Sequence, residues 1–282
     1  MASKTPANKL TSAKEREGPG SLVIRLLFWI WVLFVFSPFL ALFLQLDRSA
    51  LSSLGESSLA WQALTVSFAT TSVSLFFMIL IGLPAAWFLA RSKGFWSRLA
   101  GSLLDLPMVL PPSVAGVLLL LAFGRHGLIG SYLAQKGVLI TFTWLAVVLA
   151  QCFVAGPFFI KSAVTGFRGV DPELEATSLT LGNNRWQTFW RVTFPLALPS
   201  MVSGLVMAWA RALGEFGATI IFAGNLPGRT QTLPLAIYTA MENDFPLAMA
   251  LAALMVFISF CLLGLIKLLE RWKAGGWEDA PN

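Results

Sequence analysis

The chain has 282 residues, 56% of them hydrophobic and only 12% charged, with a mean hydropathy of +0.74 and a formal net charge of +6. A soluble domain carries about twice that charged fraction, so the composition places the chain in a membrane. The cations are spread along the sequence rather than pooled, which sets aside the nucleic-acid surface that a basic balance would otherwise suggest.

In chain order, residues 1–20 are polar and rich in Lys, Ser, Pro and Gly and read as a disordered tail. The first apolar span covers about 22–46 and holds Pro38, which can kink it, together with Phe28, Trp29, Trp31 and Phe34, which can face lipid. It is too long for a signal peptide and lacks a convincing small-residue cleavage site, so it is expected to remain as a transmembrane helix. Residues 47–58 read as a loop. The second span, near 59–90, carries a polar, small-residue face at Thr65, Ser67, Thr70, Thr71 and Ser72 that suits packing against other helices. After the basic loop at 91–98, residues 101–124 contain Pro107, Pro111 and Pro112, which argue against a straight helix in the first half. A broken entry completed by 113–123 is expected. Residues 125–137 read as a loop and the fourth span as about 138–160. A fifth span is expected at about 200–222, a sixth at about 245–268, and a charged tail at 271–282.

Between spans four and five lies the one long polar, patterned segment of the chain. Asp171 can cap a helix opening at Pro172, with Glu173 and Glu175 adding negative charge near the exposed amides of its first turn. Leu174, Thr177 and Leu181 share a face, and Gly182-Asn183 supplies the left-handed or loop conformation that stops the helix. A short amphipathic piece follows, in which Trp186, Phe189 and Trp190 cluster against Arg185, Gln187 and Arg191, and Pro195 and Pro199 are read as closing the unit.

The lysines and arginines test the orientation. With the N-terminus inside, the inner side collects Lys4, Lys9, Lys14, Arg16, Arg25, Arg91, Lys93, Arg98, Lys161, Arg168, Arg185, Arg191, Lys267, Arg271 and Lys273, 15 in all. The outer side has 4, Arg48, Arg125, Lys136 and Arg229, and Arg211 falls inside a span. That bias supports six crossings with both termini, and the patterned segment, in the cytoplasm.

Chemistry-bearing motifs are sparse. There is no phosphate-binding Gly-x-x-x-x-Gly-Lys-Ser/Thr loop, no Gly-x-Gly-x-x-Gly cradle, no His-Glu-x-x-His and no nucleophile elbow, so neither ATP binding nor catalysis is assigned to this chain. An intramembrane enzyme would have to be built on Arg211, Glu215 or Asp105. Cys152 and Cys261 lie in apolar helices and support neither a disulfide nor a metal site, and His126 stands alone in a loop. No bound cofactor or metal is therefore expected. Arg211 and Glu215, four apart in WARALGEFGAT, are the ionisable groups in mid-span. Either they lock span five to its neighbours or, with Gly217, they line a translocation path. Arg229, Thr230 and Thr232 in GNLPGRTQTLP are candidate outer anion contacts, with an ordinary outer loop as the alternative.

VDPELEATSLTLGNNRWQTFWRVTFPLALP resembles the cytoplasmic loop of permease subunits of binding-protein-dependent ABC importers, whose signature is Glu-Ala-Ala, three residues, Gly, nine residues, Ile-x-Leu-Pro. Gly182 matches the glycine, and Val192, Phe194 and Pro195 match the closing residues. Ala176 departs at the Glu position, with Thr177 and Ser178 on the alanines and Glu175 just before. LPMVLPPSVAG at 106–116 and ARALGEFGATIIFAGNLPGRTQTLPLAIY at 210–238 resemble the molybdate permease subfamily, a relative of sulfate permeases. The resemblance implies an all-α, polytopic transmembrane bundle of the type I ABC importer permease fold. It implies a permease domain over 21–270 with a coupling loop at 168–192, in which Asp171, Glu175, Ala176, Gly182, Trp186 and Pro195 serve ATPase coupling. It further implies import of molybdate or tungstate across the plasma membrane, or the inner membrane of a two-membrane cell, with sulfate or thiosulfate as the alternative. The implied partners are a second permease copy, two cytoplasmic ABC ATPases that hold ATP and Mg, and an extracytoplasmic oxyanion-binding protein. A membrane scaffold for an ATPase without transport is the reading from another class.

Overall fold

The computed structural model describes residues 19–278; of the tails expected at 1–20 and 271–282, residues 1–18 and 279–282 lie outside the described residues, while Pro19 and Gly20 are helical. Every regular element among the described residues is helical. The chain divides at Asp47 into two compact units.

The first unit holds one helix, α1 (Pro19–Gln45), of 27 residues, about 40 Å at 1.5 Å per residue. Pro38 sits within it, and the hydroxyl of Ser37 bonds back to the carbonyl of Phe34 at 2.9 Å.

The second unit begins with α2 (Arg48–Glu56), so the segment expected as a loop at 47–58 is helical. Its polar, serine-rich sequence concealed a helix that buries Ala50. Then come α3 (Ser58–Arg91), α4 (Phe95–Val109), α5 (Pro112–Phe123) and α6 (Gly130–Gln135). The third crossing is broken as expected, but at Leu110-Pro111, and its first half is a helix that contains Pro107; α4 and α5 are bent by 119°. Pro112 fits because the first turn of a helix needs no N–H from it.

The fourth long helix, α7 (Trp144–Arg168), starts later and ends later than the expected 138–160, since residues 138–143 form an extended and turned approach. After α8 (Pro172–Thr180), α9 (Arg185–Thr188) passes through a π turn at Phe189–Thr193 into α10 (Phe194–Leu213). Pro195 and Pro199 therefore do not close the patterned segment. They lie inside one helical run from Arg185 to Leu213, and the wide turn, with the Phe194 N–H bonded to the Phe189 carbonyl, gives the Pro195 ring room against the preceding turn. The expected fifth span at 200–222 is likewise corrected: α10 stops at Gly214, and α11 (Gly217–Phe222) follows after a break. α12 (Leu233–Asn243) had no counterpart in the sequence reading. α13 (Phe245–Glu278) runs on into the residues expected as a tail at 271–278.

Five helical runs, α1, α3, α7, α9–α10 and α13, are long and apolar enough to cross a membrane, and α4 with α5 makes a sixth if the bent pair is one crossing. Met78, Ala86, Phe159, Phe167 and Met201 join α3, α7 and α10. Leu119, Val147, Ala218 and Phe222 join α5, α7 and α11, while Ala63, Leu233, Ala236 and Leu251 join α3, α12 and α13. On α3, Ser67, Thr70 and Thr71 are buried as the small-residue face predicts, but Thr65 and Ser72 are exposed. Ser74 takes their place. Its hydroxyl donates to Gln151 Oε1 of α7 at 2.8 Å, and Gln151 Nε2 donates to Thr70 Oγ1 at 3.3 Å. A buried glutamine is tolerated there because both ends of its amide are bonded.

Candidate functional site: the node around α8 and a crossing of two helix breaks

Asp171 caps α8 by accepting from the Glu173 N–H at 2.9 Å. At the other end the Asn183 N–H bonds to the Ser178 carbonyl at 3.2 Å and the Gly182 N–H to the Leu179 carbonyl at 3.1 Å, with Gly182 at φ +90°. These bonds form a Schellman stop, which needs a left-handed residue where the sequence supplies glycine. Asn184 and Gln187 then form a reciprocal capping box on α9.

Glu175 points back into its own chain. Its Oε1 accepts from Thr193 Oγ1 of the π turn at 2.6 Å and is paired with Arg91 at the end of α3. The Arg91 guanidinium lies over Trp87 at 4.6 Å, and Trp87 packs edge-on against Phe167 of α7 and Phe189. Ser178 and Thr188 share a hydrogen bond of 3.0 Å, and Arg191 donates to Asn183 Oδ1 at 3.1 Å. Arg168 donates to the Leu89 carbonyl at 3.1 Å, using a cation to satisfy the carboxyl end of α3. The short helix is thus bound to the end of α3 and to the α9–α10 run. Its opposite side is free: Asp171, Ala176 and Pro195 are exposed, as are Leu181 at 79% and Trp186 at 69%. Of the residues the sequence reading proposes for coupling, Glu175 alone is partly buried against its own chain, and the others are exposed.

The break between α4 and α5 and the break between α10 and α11 meet. A Cβ on Gly217 would lie 2.7 Å from the Pro112 Cβ, and one on Gly116 would lie 2.9 Å from the Ile221 Cβ. Helix ends inside a membrane need partners for the backbone groups they free. Glu215 provides one, accepting from the Ala218 N–H at 2.8 Å through Oε1. Its Oε2 lies 2.7 Å from Arg211 Nη1, in an ion pair without an aligned N–H···O bond. The Glu215 side chain is fully buried while that of Arg211 is 29% exposed. The pair therefore forms at the predicted spacing, with the acid turned into the protein and the base reaching the edge of a surface.

The outer candidates are not brought together. Arg229 is exposed on a turn with Gly228 at φ +68°, whereas Thr230 is buried and accepts from the Leu226 N–H at 3.0 Å. Thr232 is also buried, and its hydroxyl has no partner. The loop is internally stitched by Asn225, Gln231 and Thr239, and Ser67 accepts from the Leu233 N–H at 2.7 Å. Sequence reasoning missed Arg91, Thr193 and Gln151, whose partners are about eighteen to eighty-four residues away; only the polar character of Gln151 in an apolar helix signalled one of them.

Residues 78–275 match the family described as the binding-protein-dependent transport system inner membrane component. The chain belongs to that family. It is 43% identical over 228 residues to the molybdenum transport system permease protein ModB of Mycobacterium bovis, a match covering 81% of this chain and 86% of the relative. It is 34% identical over 245 residues to the sulfate transport system permease protein CysT of Escherichia coli, covering 82% and 88%. In fold it superposes with a TM-score of 0.68 on a chain of a bacterial alginate ABC transporter in complex with an alginate-bound periplasmic protein, at 15% identity over 89% of this chain and 91% of that one. The chain is thus a polytopic inner-membrane permease subunit with the all-α fold of such importers.

Proposed function

We infer that this permease imports a tetrahedral oxyanion, molybdate or tungstate, by alternating access driven by a separate ATPase. The observation that carries the substrate class is the likeness to molybdenum permeases, which covers most of this chain. The geometry supports the mechanical part. A short helix bound to α3 and to the α9–α10 run, with Leu181 and Trp186 exposed beside it, is built to receive displacement from a cytoplasmic partner and pass it to those two spans. The working unit is two copies of this chain with two ATPases docked on residues 168–192 and an extracytoplasmic binding protein delivering the anion. Arg211, reaching a surface beside two broken helices, supplies positive charge to the path, and buried Glu215 fixes its position.

Sulfate is the second reading, favoured by the likeness to the sulfate permease. The test is uptake by proteoliposomes of the permease with its ATPase, using the binding protein encoded beside it, with molybdate, tungstate and sulfate compared. Molybdate or tungstate flux that exceeds sulfate flux at least tenfold supports the reading. Equal or preferred sulfate flux replaces it, and ATPase association without flux of any oxyanion would identify a scaffold.

A further inference from the structure

The segment between α5 and α7 contains two of the four cations that the orientation places outside, Arg125 and Lys136. No Asp or Glu occurs between Gly124 and Thr143. The segment is folded against the end of its own span: the Leu128 N–H bonds to the Leu121 carbonyl at 3.0 Å and the Ile129 N–H to the Ala122 carbonyl at 2.8 Å. Its far end is anchored by Ile140, which is buried among Leu119, Val147 and Phe222. Since both ends are tied to spans, the segment lies at the outer boundary of the bilayer.

There it forms an open surface depression of about 450 Å³ lined by Arg125, His126, Ser131, Gln135 and Leu139. Sites for small ligands fall in about the 300–1,000 Å³ range. At and around this basic depression stand largely exposed apolar side chains: Leu128 is 86% exposed, Tyr132 58% and Leu139 53%. The Lys136 ammonium sits 4.6 Å above the Tyr132 ring, held at the rim by an aromatic side chain of the type that settles at headgroup depth.

We propose that this outer cap is a binding site for the phosphate-bearing headgroup of an anionic phospholipid. Arg125 pairs with the phosphate, Ser131 and Gln135 donate to its oxygens, Lys136 adds charge at the rim, and Leu128, Tyr132 and Leu139 enter the acyl boundary. Two observations favour lipid over an acidic protein. The apolar rim is continuous with a span end, and the cations lack any local acid, so a membrane of matching charge satisfies both at once. Each basic residue near an anionic surface is worth about fivefold in affinity.

The test uses the permease assembled with its ATPase in nanodiscs of phosphatidylcholine with graded phosphatidylglycerol. Lipids retained after detergent extraction are counted by native mass spectrometry. The wild type should retain phosphatidylglycerol preferentially, the Arg125→Gln, Lys136→Gln double variant should lose that preference by about 10- to 25-fold, and the charge-preserving Arg125→Lys, Lys136→Arg variant should recover most of it. Neither residue lies in the coupling or mid-span nodes, so uptake into proteoliposomes of pure phosphatidylcholine should be unchanged and reports that the variants fold. Equal retention of the two lipids by the wild type overturns the proposal, and so does displacement by millimolar inorganic phosphate, which would mark a free-anion site. Unaltered lipid preference in the double variant, with a higher binding-protein concentration needed for half-maximal ATP hydrolysis, also overturns it and assigns the surface to a protein partner.

Discussion

Two Arg–Glu pairs organise this permease, and they differ in everything except the residues. Glu175 meets Arg91 at the rim of the bundle, where the two side chains are 17% and 37% exposed and a threonine hydroxyl completes the carboxylate's bonding. Glu215 meets Arg211 at the crossing of two broken spans, where its side chain is fully buried and one oxygen has only the ion pair. At the rim, solvent is the alternative partner, so the pair contributes geometry more than stability. At the crossing the buried Glu215 carboxylate has no such alternative, so its charge requires Arg211. The same chemistry acts as an adjustable linkage in one place and as a fixed node in the other.

The comparison breaks most directly at Glu215. Glu215→Ala leaves Arg211 beside a low-dielectric interior and frees the Ala218 amide, and loss of one partner from a buried pair costs about 3–5 kcal/mol. The expected outcome is a large drop in the Tm of the purified complex and loss of uptake. Combining it with Arg211→Met should recover more stability than additivity allows, while uptake stays lost if Arg211 serves the path. Additive losses in Tm would mean that the two residues are independent.

Gly217→Ala tests the same crossing without touching charge. Its Cβ would meet the Pro112 Cβ at 2.7 Å, and Pro112 cannot swing aside as a flexible side chain would. Overpacking of this kind costs about 1–3 kcal/mol. A lower Tm and slower uptake are expected, with ATP hydrolysis by the isolated ATPase unaffected. An unchanged Tm would show that the two breaks do not bear on each other.

How much of this was legible beforehand follows from the range of the interactions. The cap at Asp171, the stop at Gly182 and the Arg211–Glu215 pair each depend on residues within about five positions, and each appears where its spacing placed it. The break after α10, by contrast, sets Gly217 against Pro112 about a hundred residues earlier, a contact to which the run from 200 to 222 gives no local clue. α12 hides behind the turn-forming sequence at 224–232, whose hydroxyls and amides are used inside the loop rather than shown to solvent. Glu175 was visible as an acid near a helix start, but its direction is set by Arg91 on α3 and by the π turn that presents Thr193. Periodicity carries no information about either.

At the rim, Gly182 separates backbone conformation from docking. A Cβ there meets nothing within 4 Å, so a side chain has room and the cost comes from φ +90° alone. Gly182→Ala should lose about 1–2 kcal/mol of local stability, and Gly182→Asn less, because its short amide tolerates the left-handed region. Gly182→Arg should behave like Ala in the isolated permease but lose co-purification with the ATPase, or its substrate-stimulated hydrolysis. Wild-type assembly and coupling in the Arg variant would remove Gly182 from the contact.

The smallest change in stability is expected at Glu175, and it is the one that sharpens the contrast most. Glu175→Gln keeps an acceptor for Thr193 and removes the charge that holds Arg91. A partly exposed pair is worth about 0–1 kcal/mol, so Tm should move little. The link from α8 to the end of α3 is nevertheless released, while the hydrogen bond to the start of α10 remains. If the coupling helix drives α3 and α10 as one body, that release lets α8 move without carrying α3, and transport falls while hydrolysis continues. The measurement is the number of oxyanions taken up per ATP hydrolysed in proteoliposomes, with Arg91→Gln as the matching variant from the other side. Both should lower the ratio several-fold, and the double variant should be no worse than either alone, since one linkage is lost in all three. An unchanged ratio in both single variants would place the drive wholly in the path through Thr193, the π turn and α10, and Thr193→Val, which removes that hydroxyl without changing the side-chain shape, would then be the substitution that uncouples.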